Sequence, residues 1–350
     1  MKRSTVHFLA VSLAVVIGAI FLLGPEGTEK PSDSEGLAAV PGLEARANDV
    51  TVLSVTGPGD QVLATLNRGE DGWTIEELSA YPADIETLRE VLGGLAEANV
   101  TEPKTDNPAY YDRLGVEPVT SETAGGLQLD LGTGDGAQWS VIVGDEAPAR
   151  GGHYLRLADA PGSVLADFDA SIPADPVGWA DSKVVDLMAA EVAEARVTHL
   201  DGEVITAIKT SADETDFTLQ ELPEGREIKS AWSVNSLGSA LSTLDFEAVR
   251  PVDAFDWTQA SELRTVRFDG LVVIARLLRD EAEGDWVRIE VETPYLDEGE
   301  AADAEAASAV REAAEELADR TRGWAYQIPT YKADAMVPRL ADLLREPAET

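Results

Sequence analysis

A tryptophan, a tyrosine and several carboxylates lie close together in WTIEELSAYPADIETLREVLGGL, which spans residues 73–95. Such a cluster could supply the two acids that cleave a glycosidic bond. The pattern recurs, however: Phe217 in DFTLQEL stands where Trp73 stands, and WAYQIPTYKAD from Trp324 is a weaker third copy. A feature in several copies is typical of a repeated structural unit. We therefore predict no catalytic residue in this cluster.

Each copy also carries an oxygen-bearing side chain just before a helical pattern. Apolar residues follow Asp84 at spacings of three, four and three, and follow Ser233 at the same spacings. An oxygen at this position can accept the free N–H groups of the first helical turn. We predict helix N-caps at Asp84 and Ser233, and at Asp334 in the third copy.

Other patterns that could do chemistry are weak. The histidines are His7, His153 and His199, and none lies at a zinc-binding spacing from another. The glycine-rich GTGDG at 132–136 lacks the lysine of a phosphate loop and precedes a β-type run, so we expect a hairpin tip. No cysteine occurs, which excludes disulfides, thiolate metal sites and a lipid-anchored cysteine. We therefore predict no metal and no cofactor.

The charge balance limits the partners. Acidic residues number 65 against 27 basic ones, which gives a net charge of -38. Such a surface repels nucleic acid, so DNA and RNA binding are excluded. The acidity itself fits either salt adaptation or a cation-binding surface, and the sequence leaves both open.

The N-terminus predicts a membrane anchor. Lys2 and Arg3 precede an apolar stretch at 6–23 that is near the lower length limit for a membrane-spanning helix. We expect residues 1–5 in the cytoplasm, a single pass through the inner (cytoplasmic) membrane, and the bulk of the chain in the periplasm. A cleaved signal peptide is the alternative. Residues 24–49, acidic and rich in proline and glycine, are expected to form a flexible tether.

Beyond residue 50 the pattern indicates two similar domains. Short β-type runs separated by glycine-containing turns alternate with the helical patterns described above. We predict a tandem repeat with a first β/α domain at 50–185 and a second at 190–350. The expected class is α+β, in which each repeat is an antiparallel β-meander with helices packed on one face.

Two segments are not explained by the repeat and could contact a partner. NPAYYDRLG contains Tyr110, Tyr111 and Arg113, and the glycine-rich connection GDEAPARGGHYLR contains His153 and Tyr154. Tyrosine and arginine are common anchors of protein interfaces. The alternative is that the tyrosines cover one end of a sheet.

Several of these stretches resemble a known family. They are KTDNPAYYDRLGVE, the W…YPAD turn, the closing GWAYQIPTYKADAMVPRLADLL, and VPGLEARANDVTVLSV after the predicted anchor. They resemble the bacterial family catalogued as domain of unknown function 4340. The resemblance carries no catalytic residues, and it implies an association with ABC-type export systems related to gliding-motility transporters.

Together these features favour a membrane-anchored extracytoplasmic interaction or scaffold protein, accessory to an ABC-type envelope transport complex, with a transporter permease as an expected partner. An envelope-polymer hydrolase that uses paired carboxylates is one alternative, and an extracytoplasmic solute-binding protein is another.

Overall fold

The computed structural model describes residues 36–148, 150–280, 282–292 and 304–346. The predicted transmembrane helix at 6–23 and the cytoplasmic residues 1–5 lie outside these residues. Within the described part of the chain, no helix is long and apolar enough to cross a membrane. The transmembrane helix is therefore not part of the fold described here.

The class of the fold differs from the predicted α+β arrangement. The described residues form three antiparallel sheets, and the helices between them are few and mostly short. The helices are α1 (Ile85–Glu97), α2 (Ala231–Gly238), α3 (Ala304–Thr321), α4 (Thr330–Met336) and α5 (Leu340–Leu343).

A helix was expected to continue beyond Gly238, and local packing explains why it does not. A Cβ atom at Gly238 would collide with the ring of Phe217, and glycine in a helix interior costs about 1 kcal/mol relative to alanine. Thr243 then adopts a positive φ of 47°, and Leu244 enters a short strand. The expected apolar stripe is therefore split between a helix and a strand.

The first sheet contains nine strands in the order β4-β3-β2-β1-β6-β7-β8-β9-β5. Alternating apolar residues such as Leu53 and Val55 turn one face toward the core. Its strands are β1 (Val50–Gly57), β2 (Gln61–Gly69), β3 (Gly72–Ile75), β4 (Tyr81–Pro82), β5 (Val100–Pro103), β6 (Leu127–Thr133), β7 (Gln138–Glu146), β8 (His153–Leu157) and β9 (Ser163–Ala166).

The second large sheet contains eight strands in the order β13-β12-β11-β16-β17-β18-β19-β15. A small two-stranded sheet pairs β10 with β14. These strands are β10 (Lys183–Val185), β11 (Val192–Thr198), β12 (Val204–Ile208), β13 (Thr218–Leu219), β14 (Leu244–Asp245), β15 (Ala248–Pro251), β16 (Ser261–Arg267), β17 (Val272–Asp280), β18 (Gly284–Glu292) and β19 (Trp324–Ile328).

The two large sheets follow the same path. The strand order of the second sheet is that of the first with ten added to each strand number, so that β1 corresponds to β11 and β9 to β19. Of the described strands, only the edge strand β4 has no counterpart in the second large sheet. The register irregularity between Val50 and Val52 recurs between Val192 and Glu194. The stretch from Trp324, expected to open a third copy, is instead β19, the counterpart of β9.

One apolar core runs through both halves. Tyr81 of the first half packs edge-on against Phe246 and Trp324 of the second, with ring centroids 5.4 and 5.0 Å apart. Val40 and Leu43 are also buried in this core. Residues 36–49 were expected to belong to the flexible tether, but the packing of these two side chains makes that part of the chain folded.

Candidate interaction surface

Two carboxylates in residues 73–95, those of Asp84 and Glu77, have structural roles. Asp84 is the N-cap of α1, and its carboxylate accepts the backbone N–H groups of Glu86 and Thr87, each at 3.1 Å. Partial burial raises the pKa of Asp84, but the hydrogen bonds from Thr87 and Glu86 outweigh it and leave the pKa below its ordinary value. Glu77 accepts the backbone N–H of Thr65 at 2.8 Å.

The other two predicted caps are wrong. The N-cap of α2 is Ser230, whose hydroxyl accepts the Ser233 N–H at 3.2 Å, because Ser230 rather than Ser233 has extended backbone angles. Asp334 lies inside α4, which begins after Pro329. Its carboxylate pairs with Arg279 at 2.6 Å and ties this helix to β17.

Tyr110 and Arg113 lie on the surface, on a short 3-10 helix (Pro108–Arg113) that connects β5 to β6. Asn107 caps this helix by accepting the Ala109 N–H at 3.1 Å. The Tyr110 side chain is 46% exposed, and the Arg113 guanidinium lies 4.8 Å from the centre of its ring. This cation–π contact orients an aromatic ring toward solvent.

Tyr111 is buried, in contrast to its predicted surface role. Its hydroxyl donates to the carbonyl of Pro161, and its ring lies 4.8 Å from the guanidinium of Arg156. With Val116 and Ile142 it forms a small apolar cluster on the face of the first sheet that points away from the main core. This face is called the outer face below. Tyr111 therefore fixes the segment to the sheet and cannot contact a partner directly.

Arg156 is the residue that sequence patterns missed. It is buried, and its Nε donates to Val116 O at 2.7 Å while its Nη1 donates to Ala158 O at 3.0 Å and Ala160 O at 3.2 Å. Burial lowers the pKa of this guanidinium. An isolated arginine in a β-type run carries no sequence signal for this role, because all these partners are backbone carbonyls.

Close backbone contact further restrains the segment. A Cβ atom at Gly144 would collide with the carbonyl oxygen of Leu114, and one at Gly126 would collide with the carbonyl oxygen of Gly115. Glycine is needed where two backbones approach so closely. The connection around Tyr110 is thus held by packing, by a buried cation and by a cap.

His153 and Tyr154 point to opposite faces of β8, as neighbouring strand residues must. The half-buried His153 Nδ1 lies 2.8 Å from Phe168 O, on the core side. Tyr154 packs against the Tyr111 cluster, and the Lys104 ammonium lies 5.7 Å from its ring centre. Of the predicted contact residues, Tyr110, Arg113 and the partly buried Tyr154 therefore share the outer side of the sheet.

A second cavity is bordered by hydrogen bonds and ion pairs within the protein. A cavity of about 630 Å³ is lined by His199, Arg279 and Arg339. The buried His199 places Nε2 3.0 Å from Pro338 O, and Arg339 pairs with Asp201 at 2.7 Å. These contacts join the C-terminal helices to the β11–β12 turn. Within the described residues, no group of three or more acidic, histidine or cysteine side chains could hold a metal ion.

Comparison with known proteins identifies the family. The family model described as "Domain of unknown function (DUF4340)" matches residues 73–269, more than half of the chain, and the chain belongs to this family. The resemblance predicted from the sequence is confirmed. No curated protein and no solved structure matches the chain. The matched range includes the 3-10 helix with Tyr110 and parts of both large sheets.

Proposed function

We propose that this protein is an interaction protein that binds a partner protein through the surface formed by Tyr110 and Arg113. The observation that carries the proposal is an aromatic side chain 46% exposed on a segment that is otherwise tightly held. An exposed tyrosine on a restrained backbone loses little conformational entropy on binding. Tyrosine and arginine are also among the residues that most often supply binding energy in protein interfaces.

Two residues close to Tyr110 support this role, because they present no polar group to a partner. Tyr111 and Arg156 use their polar groups on backbone carbonyls within the protein. They hold the segment in place, and the solvent-facing contact falls to Tyr110 and Arg113. A restrained contact segment of this kind favours a binding role for the protein.

The partner class comes from the family resemblance, which implies subunits of an ABC-type export system. A transporter permease is therefore the partner to test first, and a location outside the cytoplasm stays a prediction. The two alternatives, an envelope-polymer hydrolase and a solute-binding protein, also stay predictions.

The test is co-purification from native membranes after mild cross-linking, with wild type and Tyr110→Ala. Tyr331→Ala is the matched control, because Tyr331 is 69% exposed and also lies beside a cation, with Lys332 Nζ 6.0 Å from its ring centre. We expect Tyr110→Ala to lose the partner and Tyr331→Ala to keep it, both with unchanged thermal melts. Equal recovery of the partner with both variants, or no partner with wild type, would reject the proposal.

A further inference from the structure

A row of polar side chains crosses the outer face of the first sheet. Ser54 of β1 lies directly opposite Asp130 of β6, and Asp130 lies opposite Ser140 of β7. Their strand neighbours, among them Leu53 and Leu129, point into the core, so the row points outward. Asp159, just after β8, extends the row past Ser140.

These residues line an open cavity of about 500 Å³. Its floor includes Val52, which is 37% exposed, and the adjacent Gly132. This cavity is called the groove below. A second depression of about 590 Å³ shares Thr51 and Thr133 with it but is also lined by Arg46 and Arg68. Cavities that bind small molecules commonly have volumes of roughly 300–1,000 Å³.

The polar groups of the row are largely free to bind a ligand. Asp130 accepts the Gln128 side-chain amide at 3.0 Å, which leaves acceptor capacity on its carboxylate. The side chains of Ser54, Ser140 and Asp159 have no hydrogen-bond partner among the described residues. Their hydroxyl and carboxylate oxygens are thus available over the floor of the groove.

The second sheet shows that folding does not require this row. At the corresponding register positions it carries Arg196, Arg264 and Ile274. By contrast, both sheets have a glutamate that accepts a backbone N–H of the second strand. It is Glu77 in the first sheet and Glu221 in the second. The same architecture therefore forms with entirely different residues at the row, which frees those of the first sheet for another role.

The residues that line the groove indicate which class of ligand it binds. Among the described residues, none that lines the cavity of about 500 Å³ is basic, and an anion there would face the carboxylates of Asp130 and Asp159 in a protein of net charge -38. A neutral polyhydroxylated chain donates hydrogen bonds to carboxylates and exchanges them with serine hydroxyls. Its apolar ring faces could lie against Val52 and Gly132. We propose that this groove binds a neutral oligosaccharide.

The proposal goes beyond the interaction surface at Tyr110 and does not depend on it. The test is isothermal titration of the full-length protein with three neutral hexasaccharides: a β-1,4-glucan, a β-1,4-linked N-acetylglucosamine chain and an α-1,4-glucan. Spermidine serves as the cationic probe. We expect one of the saccharides to bind and spermidine not to compete with it.

The second sheet provides the blocking variant and its control. Ser54→Arg introduces the side chain that Arg196 has at the corresponding position, so the strand can accept it. It should weaken saccharide binding by at least about tenfold, because the guanidinium fills the groove and removes hydrogen-bonding sites. Arg196→Ser, on the other sheet, should leave the affinity unchanged, and both variants should keep the wild-type melt.

Three results would overturn this proposal without affecting the one for Tyr110. The first is a titration with no heat of binding for any saccharide, and the second is binding of spermidine alone. The third is equal saccharide affinity of wild type and Ser54→Arg. If Ser54→Arg lowers the melting temperature, Ser140→Asn provides the second blocking variant. Unchanged binding by that variant would likewise reject the site.

Discussion

The carboxylate of Glu221 accepts both the backbone N–H of Thr206, at 2.6 Å, and its hydroxyl, at 2.8 Å. Glu77 and Thr65 repeat the backbone bond at the corresponding place in the first sheet, at 2.8 Å. In both sheets the third strand is too short to cover this part of the second strand. The glutamate satisfies a strand amide that the ladder leaves unpaired, which is a structural requirement of each repeat.

This relationship predicts an asymmetry between the repeats. Glu221 is half-buried and makes two hydrogen bonds, so Glu221→Ala should lower the free energy of unfolding by about 1–2 kcal/mol. Glu77 is exposed and makes one, so Glu77→Ala should have a smaller effect. Urea unfolding of both variants checks this order. A larger loss for Glu77→Ala would contradict it.

The cap of α1 predicts a second difference. Asp84→Ala removes the acceptor of two backbone amides and should cost about 1 kcal/mol of stability. Asp84→Asn keeps an oxygen at the same place and should cost much less. Urea midpoints of the two variants at neutral pH give the comparison. Equal losses would mean that the carboxylate acts through its charge rather than through capping.

The contacts of Asp135 predict that the stability of the fold depends on pH in the acidic range. The Thr133 hydroxyl and then the Arg46 guanidinium lower the pKa of Asp135 from 3.8 to about 2 in the folded protein. A depressed pKa stabilises the fold above the unfolded value, near 3.8, and this contribution is lost as the pH falls through about 2. The stability difference between wild type and Asp135→Asn should therefore disappear over that range.

The titration of the Asp135 carboxyl can be measured directly. Carboxyl NMR titration should place the Asp135 midpoint near 2 in wild type. In Arg46→Gln the midpoint should move upward but stay below 3.8, because the Thr133 hydrogen bond remains. A wild-type midpoint at the ordinary value would show that these contacts do not persist in solution.

The hydrogen bonds of Arg156 predict that its replacement loosens the segment around Tyr110. Arg156→Met fills a similar space but leaves the carbonyls of Val116, Ala158 and Ala160 without their donor. Amide hydrogen exchange in residues 106–117 should become at least about tenfold faster while the core strands stay protected. Arg113→Met, which alters an exposed arginine in the same segment, is the control. Equal exchange in both variants would contradict the anchoring role.

Local patterns in the sequence determined the features that depend on neighbouring residues. Asp84 was recognisable as a cap because the amides it accepts lie two and three residues away. The duplicated runs TIEEL and TLQEL likewise revealed the repeat. The family was recognisable from contiguous stretches, of which KTDNPAYYDRLGVE and the W…YPAD turn lie within the matched residues 73–269.

Tertiary structure decided everything that depends on contacts between distant residues. Helix α2 ends at Gly238 because Phe217 packs against it, and Tyr111 is buried because Arg156 and Pro161 meet it across the sheet. The row from Ser54 to Asp130 exists only through strand register. A slip of one residue would turn one of these side chains into the core. No spacing along the chain encodes that alignment, because pairing between strands far apart in sequence fixes it.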